Sequence, residues 1–356
     1  MYRSTTIDII KGLAVMFIVL GHLRWLDNFE FITANHFYYA FIKFLYSFHV
    51  TVFFIVGGYL SYQKLSTVSF YLFLKKKLLR LMLPFLTSFL FYIAVNYLFR
   101  LAASALGQKP LYDPPTLRSF FLALAMGNDY FINNAGVFGF LWFLPAYFIA
   151  SCFFFIFSNI KAFAIRLICL FLLSPICTIL LINYVPSHLI PWGIGIALLV
   201  MPLMTLGTAQ AKIINCLFNR KKTTKLLCFL LPVFIWFVST YTEVIRLCIL
   251  DLPSGIVSFY FLVFCGWLWV TSIAVILDNS LTGKVFAMLG QYSFQIYILH
   301  IFFIDIFRLL RFFYCDHFST FFIGQILMLL FSLFGPIVIS KCFIKKVHYP
   351  AYEERH

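Results

Sequence analysis

The chain has 356 residues, of which 63% are hydrophobic and 11% are charged, whereas a soluble domain is about 45–50% apolar and about 25% charged. This composition excludes a soluble protein and predicts an all-α integral membrane protein. The net charge is +15, but the basic residues lie in short breaks between apolar runs. We therefore interpret them as topology signals and as a docking surface for an acidic ligand, and we expect no nucleic-acid partner.

About ten apolar runs follow one another along the chain, each close to the roughly 20 residues that cross a bilayer. The first run contains Asp8, Lys11 and His22 and no small-residue cleavage site, so we expect a retained helix and not a cleaved signal peptide. The predicted bundle of about ten transmembrane helices has spans at residues 7–26, 41–62, 81–103, 138–158, 164–183, 190–210, 226–247, 256–277, 286–308 and 319–340.

The basic residues predict the orientation of the bundle. An even number of spans places both termini on one side, and about 19 of the 27 Lys and Arg residues fall on that side. The positive-inside rule therefore predicts that both termini are cytoplasmic. The opposite side carries the longest predicted loop, around residues 107–136, and a loop of that length is often functional.

The first predicted helix carries three ionisable residues, which are costly at membrane depth and mark a functional site by default. Lys11 and His22 differ by a net rotation of about 20°, and Asp8 lies about 40° from His22, so all three share one face. Lys11 and His22 are about 16 Å apart along the axis. Two structural interpretations stay open: an i, i+3 ion pair of Asp8 with Lys11, and a buried, hydrogen-bonded His22.

Two further histidines lie at comparable predicted depth. His49 is near the outer end of the second span, and His300 is in the ninth span, three residues after Tyr297. Imidazole exchanges a proton near neutral pH, which suits general acid–base catalysis or a proton relay. We expect His49 and His300 to support His22 or to bind substrate, and a purely structural role stays open. No histidine or carboxylate follows any of them at i+4, so we expect no metal.

Several segments carry a family resemblance. Asp8-Ile9-Ile10-Lys11-Gly12 with Gly21-His22, and Phe48-His49-Val50 with Gly57-Gly58, are followed by Leu141-Trp142-Phe143-Leu144-Pro145 and by Gly290-Gln291-Tyr292-Ser293 with Tyr297 and His300. Together they resemble the integral membrane acyltransferase family 3, in particular its fucose 4-O-acetylase-like branch of bacterial surface polysaccharide O-acetyltransferases. Here Lys11 stands where many members have Arg, and Gly57-Gly58 replaces the more usual Ser-Gly.

The resemblance implies a ten-helix acyltransferase domain over residues 1–345 and a short cytoplasmic tail over 346–356. Such an enzyme is a multi-pass protein of the plasma (inner) membrane that moves an acyl group, usually acetyl, from cytoplasmic acetyl-CoA to a hydroxyl of a surface polysaccharide or lipid-linked glycan. Its expected partners are membrane lipids and polysaccharide-synthesis proteins. In the family the central pair maps onto Lys11 and His22.

We assign roles on that basis. The expected catalytic residues are His22, Lys11 and Asp8, with His22 as the base that activates the acceptor hydroxyl. The polyanionic CoA nucleotide is expected at a basic cytoplasmic mouth formed by Lys11, Lys75, Lys76, Lys77 and Arg80. The supporting or substrate-binding residues are His49, His300, Tyr297 and Trp142, the last with packing as the favoured alternative.

Other interpretations stay open. His22 could itself be acylated, instead of activating the acceptor for direct attack. A bundle with buried histidines is also compatible with a proton-coupled transporter or flippase, or with a non-catalytic partner in polysaccharide export. Glu243 and Arg246, placed in the seventh span, are predicted to form an interfacial ion pair.

Overall fold

The computed structural model is a helical bundle. It describes residues 5–23, 36–63, 65, 67–107, 109–110, 112–310 and 318–343. Across these residues no β-strand occurs, and the one isolated bridge joins Arg246 to Asp251. The predicted tail at 346–356, the end of the predicted domain at 345 and the end of the first predicted span lie outside the described residues.

The helices follow one another along the chain with short connections. The first half contains α1 (Thr5–His22), α2 (His36–Tyr46), α3 (Thr51–Tyr62), α4 (Phe70–Lys77), a π-helical turn (Leu78–Met82), α5 (Leu83–Ala105), α6 (Leu117–Met126), α7 (Asp129–Asn134), a 3₁₀ turn (Gly139–Trp142) and α8 (Phe143–Ser158). The second half contains α9 (Phe163–Ile168), a π-helical segment (Cys169–Leu173), α10 (Ser174–Tyr184), two 3₁₀ turns (Ser187–Leu189 and Pro191–Gly193), α11 (Ile194–Leu199), α12 (Met201–Gly207), α13 (Gln210–Asn219), α14 (Lys221–Thr240), a 3₁₀ turn (Leu247–Ile249), α15 (Gly255–Leu277), α16 (Leu281–Gln291), α17 (Ser293–Leu310) and α18 (Phe318–Phe343).

Nine stretches among the described residues are long and apolar enough to cross a membrane. The chain is therefore a multi-pass helical membrane protein, as its composition predicts. The predicted span at 190–210 differs, because it is divided into a 3₁₀ turn, α11 and α12. Val200 leaves helical geometry with φ −87° and ψ 0°, and Pro202 cannot donate a backbone hydrogen bond.

The first helix lies at the centre of the bundle. Its side chains are buried on nearly all sides, which is typical of a core helix. It packs against α16 with almost no side chain between the two backbones, because a Cβ on Gly12 would collide with the Phe286 carbonyl and one on Gly290 with the Asp8 carbonyl. Helices α15, α17 and α3 also contact it. The residues of α1 are thereby held against elements from both halves of the chain.

The longest predicted loop is largely ordered by local capping. Thr116 and Ser119 form a capping box at the start of α6, and Gly127 ends that helix in the left-handed region with φ 56°. Asn128 then caps α7, its side chain accepting a hydrogen bond from the Phe131 amide at 3.2 Å. These caps place Asp129, the first residue of α7, against the membrane bundle.

Candidate active site

The histidines of the first and ninth predicted spans are in direct contact. His300 Nε2 lies 3.1 Å from His22 Nδ1. His300 Nδ1 lies 2.7 Å from the Tyr297 carbonyl oxygen and 3.1 Å from that of Ile296. Carbonyl oxygens only accept hydrogen bonds, so the neutral His300 ring carries its proton on Nδ1 and accepts at Nε2 from His22 Nδ1–H. This assignment leaves the lone pair of His22 on Nε2.

Aromatic side chains hold the histidine pair in place. His300 is fully buried, and the Phe140 ring meets it edge-on with centroids 5.3 Å apart. Phe138 packs edge-on against His22 at 5.7 Å. The Tyr297 hydroxyl donates a hydrogen bond to the Phe140 carbonyl, which fixes the segment before α8 to α17. The orientation of the two imidazoles is therefore set by packing as well as by hydrogen bonds.

A cavity of about 210 Å³ lies beside this pair. At about 30 Å³ per water molecule it has the volume of about seven waters, enough for one ring-sized group. The side chains that matter for chemistry are at its wall: His22, Tyr46, His49, Thr51, Asp129, Trp142, Arg246 and Tyr297. Phe138, Phe140, Phe143 and Phe259 supply apolar surface. Such a mixture of aromatic wall and a few polar groups is typical of a small-molecule site.

His49 joins the same cavity through a close approach of two helices. Its Nδ1 lies 2.7 Å from the Leu45 carbonyl oxygen, so the lone pair of the neutral ring is on Nε2. That Nε2 is 3.9 Å from the position a Cβ on Gly21 would take, and the Tyr46 hydroxyl donates to the Gly21 carbonyl at 3.3 Å. The three predicted histidines therefore meet at one site.

Lys11 and Asp8 lie apart from that site. Lys11 Nζ is 2.7 Å from Asp8 Oδ1, and the Asp8 side chain is 3% exposed. The i, i+3 ion pair that the sequence left open is therefore formed. From its position in α1, Lys11 is about 16 Å along the helix from His22. A direct role of this pair at the cavity stays a prediction.

The basic side chains of α4 and the following π-helical turn differ in exposure and direction. Lys75 and Arg80 are exposed, and Lys76 is half-buried. Lys77 is turned towards α8, where its Nζ donates to Ser151 Oγ at 3.1 Å and lies 4.8 Å from the Tyr147 ring centroid. Of the four, Lys77 is thus the residue whose ammonium group is turned into the bundle beside Tyr147.

A second cavity of about 120 Å³ lies next to Tyr147. Phe143 and Tyr297 line this cavity and also the one that contains His22. Their ring centroids are 5.3 Å apart. The two aromatic rings therefore form a partition between the histidine cavity and a smaller cavity on the Lys77 side of the bundle.

A family model described as an acyltransferase domain matches residues 5–341. The match runs from the first residue of α1 into the last turn of α18, so it includes every residue of the cavity. The chain belongs to acyltransferase family 3. No curated protein and no solved structure matches it. The acyltransferase is thus a multi-pass membrane enzyme in which His22 and His49 line one cavity and the buried His300 contacts His22.

One cavity residue of this acyltransferase, Asp129, was not predicted as a site residue from the sequence. Asp129 lines the wall although it lies in the longest predicted loop. Burial raises the pKa of its carboxyl, and a hydrogen bond from the Asn133 side chain partly offsets the rise. The sequence feature that could have indicated Asp129 is the preceding Asn128, which caps the start of α7. Trp142, for which packing was favoured, also lines the cavity and is 9% exposed.

The predicted ion pair of Glu243 with Arg246 is wrong. Helix α14 ends at Thr240, so the i, i+3 spacing of a helix does not apply to these two residues. Glu243 instead accepts a hydrogen bond from the Tyr39 hydroxyl at 2.8 Å. Arg246 donates to Asp251 Oδ2 from Nε at 3.0 Å and from Nη2 at 2.6 Å.

The family match leaves cofactors untested. In the described residues no three His, Cys, Asp or Glu side chains are grouped as metal ligands would be. The expected absence of a metal stays a prediction, and so does acetyl-CoA as the donor.

Proposed function

We propose that this acyltransferase moves an acetyl group from cytoplasmic acetyl-CoA to a hydroxyl of an exported or lipid-linked surface carbohydrate, in the plasma membrane and in the manner of the fucose 4-O-acetylase-like branch. The observation that carries the proposal is the His22–His300 hydrogen bond. It assigns the His22 lone pair to Nε2 in a cavity large enough for one ring. A neutral imidazole so oriented is suited to accept a proton from an acceptor hydroxyl.

The reaction is a direct transfer. His22 Nε2 takes the proton of the acceptor hydroxyl while its oxygen attacks the thioester carbonyl carbon. The tetrahedral intermediate then collapses, the carbon–sulfur bond breaks, and the CoA thiolate takes the proton back from the His22 imidazolium. The products are an O-acetyl ester and free CoA. His300 Nε2 accepts the His22 Nδ1–H bond throughout, which keeps the ring in the reactive tautomer and stabilises the imidazolium.

The donor is proposed to enter from the side of Lys77. The exposed Lys75 and Arg80 and the half-buried Lys76 favour the CoA phosphates by charge, and the inward Lys77 leads towards the smaller cavity beside Tyr147. The thioester then reaches His22 past Phe143 and Tyr297, the residues shared by both cavities. In this scheme Lys11 contributes positive charge at its end of α1.

The test is acetyl transfer from [14C]acetyl-CoA in membranes of the source cell, which contain the endogenous acceptor, with and without the protein. The expected result is protein-dependent label in the glycan fraction that mild alkali releases as acetate, because O-esters hydrolyse under those conditions. Label independent of the protein, or absent with it, would contradict the proposal. Quenched single-turnover samples distinguish the two chemistries: direct attack predicts no acetyl on the protein, whereas acetyl trapped on His22 would replace it with the covalent route.

A further inference from the structure

Three polar groups at the cavity wall, Thr51, His49 and Tyr297, share one property: their hydrogens are directed to backbone carbonyls. The Thr51 hydroxyl donates to the Phe48 carbonyl at 2.6 Å, and His49 Nδ1 is engaged with Leu45. The hydroxyl of Tyr297 donates to the carbonyl of Phe140. Each of these groups therefore offers a lone pair, and not a hydrogen, to a molecule in the cavity.

Asp129 adds a carboxylate to this set of acceptors. A carboxylate has about four lone-pair sites, and one is satisfied by the Asn133 side chain. Among the described residues no Lys or Arg forms an ion pair with Asp129. Arg246, which lines the same cavity, is instead held by Asp251 through two hydrogen bonds. The negative charge of Asp129 is thus not neutralised by a cation of the described chain.

The carboxyl of Asp129 is held in a fixed position. The Asn128 side chain ties the start of α7 to the neighbouring loop, donating to the His188 carbonyl at 2.8 Å and to the Ile190 carbonyl at 3.3 Å. Gly139 leaves space for the carboxyl, because a Cβ at that residue would collide with Asp129 Oδ1. This fixed position allows the carboxyl to select the orientation of a ligand.

The acceptors at this wall are complementary to a ligand with several hydroxyl hydrogens. An anionic group would be repelled by Asp129, and the cation at the wall, Arg246, is already paired with Asp251, so phosphates and carboxylates fit poorly. The rings of Trp142 and Phe138 supply flat apolar surface against which the C–H face of a sugar packs. A neutral sugar combines these two features, because its hydroxyl donors surround an apolar ring face.

We propose that this cavity is the acceptor subsite for one neutral sugar ring, and that Asp129 accepts a hydrogen bond from a hydroxyl next to the one that is acetylated. The inference rests on the proposed acetyl transfer and specifies its acceptor. Asp129 is then a residue that binds and orients the acceptor, while His22 removes the proton. A ring held by both groups presents one hydroxyl to the thioester, which makes the transfer regioselective.

The first experiment identifies the acetylated residue. Glycan labelled by the wild-type protein in source-cell membranes is depolymerised, and the O-acetylated fragment is sequenced by mass spectrometry. Acetyl on a neutral sugar is the expected result. Acetyl on a uronic acid or on a phosphorylated residue would overturn the inference and leave the proposed acetyl transfer intact. If no protein-dependent label forms at all, the proposed function itself fails.

The second experiment measures how the acceptor concentration controls the rate. De-O-acetylated glycan is titrated into membranes containing wild type, Asp129→Asn, Gly139→Ala or the control Asp113→Asn, whose carboxyl is exposed in the same loop. Replacing the charged acceptor of the hydrogen bond by a neutral amide oxygen predicts an acceptor KM about tenfold higher in Asp129→Asn. Gly139→Ala, which displaces the carboxyl, should raise the acceptor KM in the same direction, with the KM for acetyl-CoA little changed. An unchanged acceptor KM in Asp129→Asn would overturn the assignment.

Discussion

His22 and His300, which are 278 positions apart in the sequence, share a hydrogen bond of 3.1 Å between Nδ1 and Nε2. One histidine is the last residue of the buried helix α1, and the other lies in the middle of α17. The carbonyls of Ile296 and Tyr297 fix the tautomer of His300, and His300 in turn fixes that of His22. This relay links the backbone of α17 to the proposed base.

Replacing His300 tests the relay. In His300→Ala the His22 ring loses the acceptor of its Nδ1–H, so both tautomers become populated and kcat should fall about 10–100-fold. His300→Gln keeps a carbonyl oxygen that can accept the same hydrogen bond, and it should recover part of the loss. The measurement is kcat and KM for acetyl transfer by the three proteins. A wild-type kcat in His300→Ala would show that His300 only fills space.

The sequence predicts the class of protein and much of the site. Charges at Asp8, Lys11 and His22 in an apolar run are costly, so their common face had to point into the bundle, and it does. Depth along the spans also placed His49 and His300 near His22. The direct contact of His22 with His300 could not be predicted, because it depends on the packing of α1 against α17. The position of Asp129 at the cavity was not predicted, because a loop residue reaches a cavity only through tertiary packing.

Lys11 has a structural role in its ion pair with Asp8 and a proposed role in donor binding, and a double substitution separates the two roles. Lys11→Met removes a cation from a buried carboxylate and should lower the free energy of unfolding by about 3 kcal/mol. The double variant Asp8→Asn/Lys11→Met removes both charges and should recover most of that loss. We expect its KM for acetyl-CoA to stay raised, because positive charge near the donor is still missing.

The readouts for this pair are thermal unfolding in membranes or detergent and donor titration at saturating acceptor. Arg246 with Asp251 is a comparison pair, because the Arg246 side chain is 59% exposed and exposed pairs contribute little. A wild-type KM for acetyl-CoA in the double variant would assign Lys11 to structure alone.

Tyr112 connects the longest predicted loop to the helix of His300. Its hydroxyl donates to Asp305 Oδ2 at 3.0 Å, and Arg308 Nη1 lies 3.0 Å from Asp305 Oδ1. Burial, and then the charge of Asp305, raise the pKa of Tyr112 well above its usual range. The hydroxyl therefore stays protonated and remains a donor from about pH 6 to about pH 9.

Tyr112→Phe should lower the free energy of unfolding by about 1–2 kcal/mol, because Asp305 loses one hydrogen bond but keeps Arg308. Tyr97→Phe, at a tyrosine that is 64% exposed, is the matched control and should have little effect. The loss should be constant from about pH 6 to about pH 9, since the raised pKa keeps Tyr112 protonated there. A loss that disappears towards alkaline pH would indicate that Tyr112 ionises in this range, contrary to the structure.

The proposed role of His22 as the base of the reaction is tested by comparing acetyl transfer by wild type, His22→Ala and His188→Ala at equal amounts of folded protein. His188 packs against Tyr130 outside the cavity, with ring centroids 5.1 Å apart. His22→Ala should lose at least about 100-fold in kcat, whereas His188→Ala should keep wild-type transfer. Equal transfer by His22→Ala and wild type would contradict the proposed role and remove His22 from the chemistry.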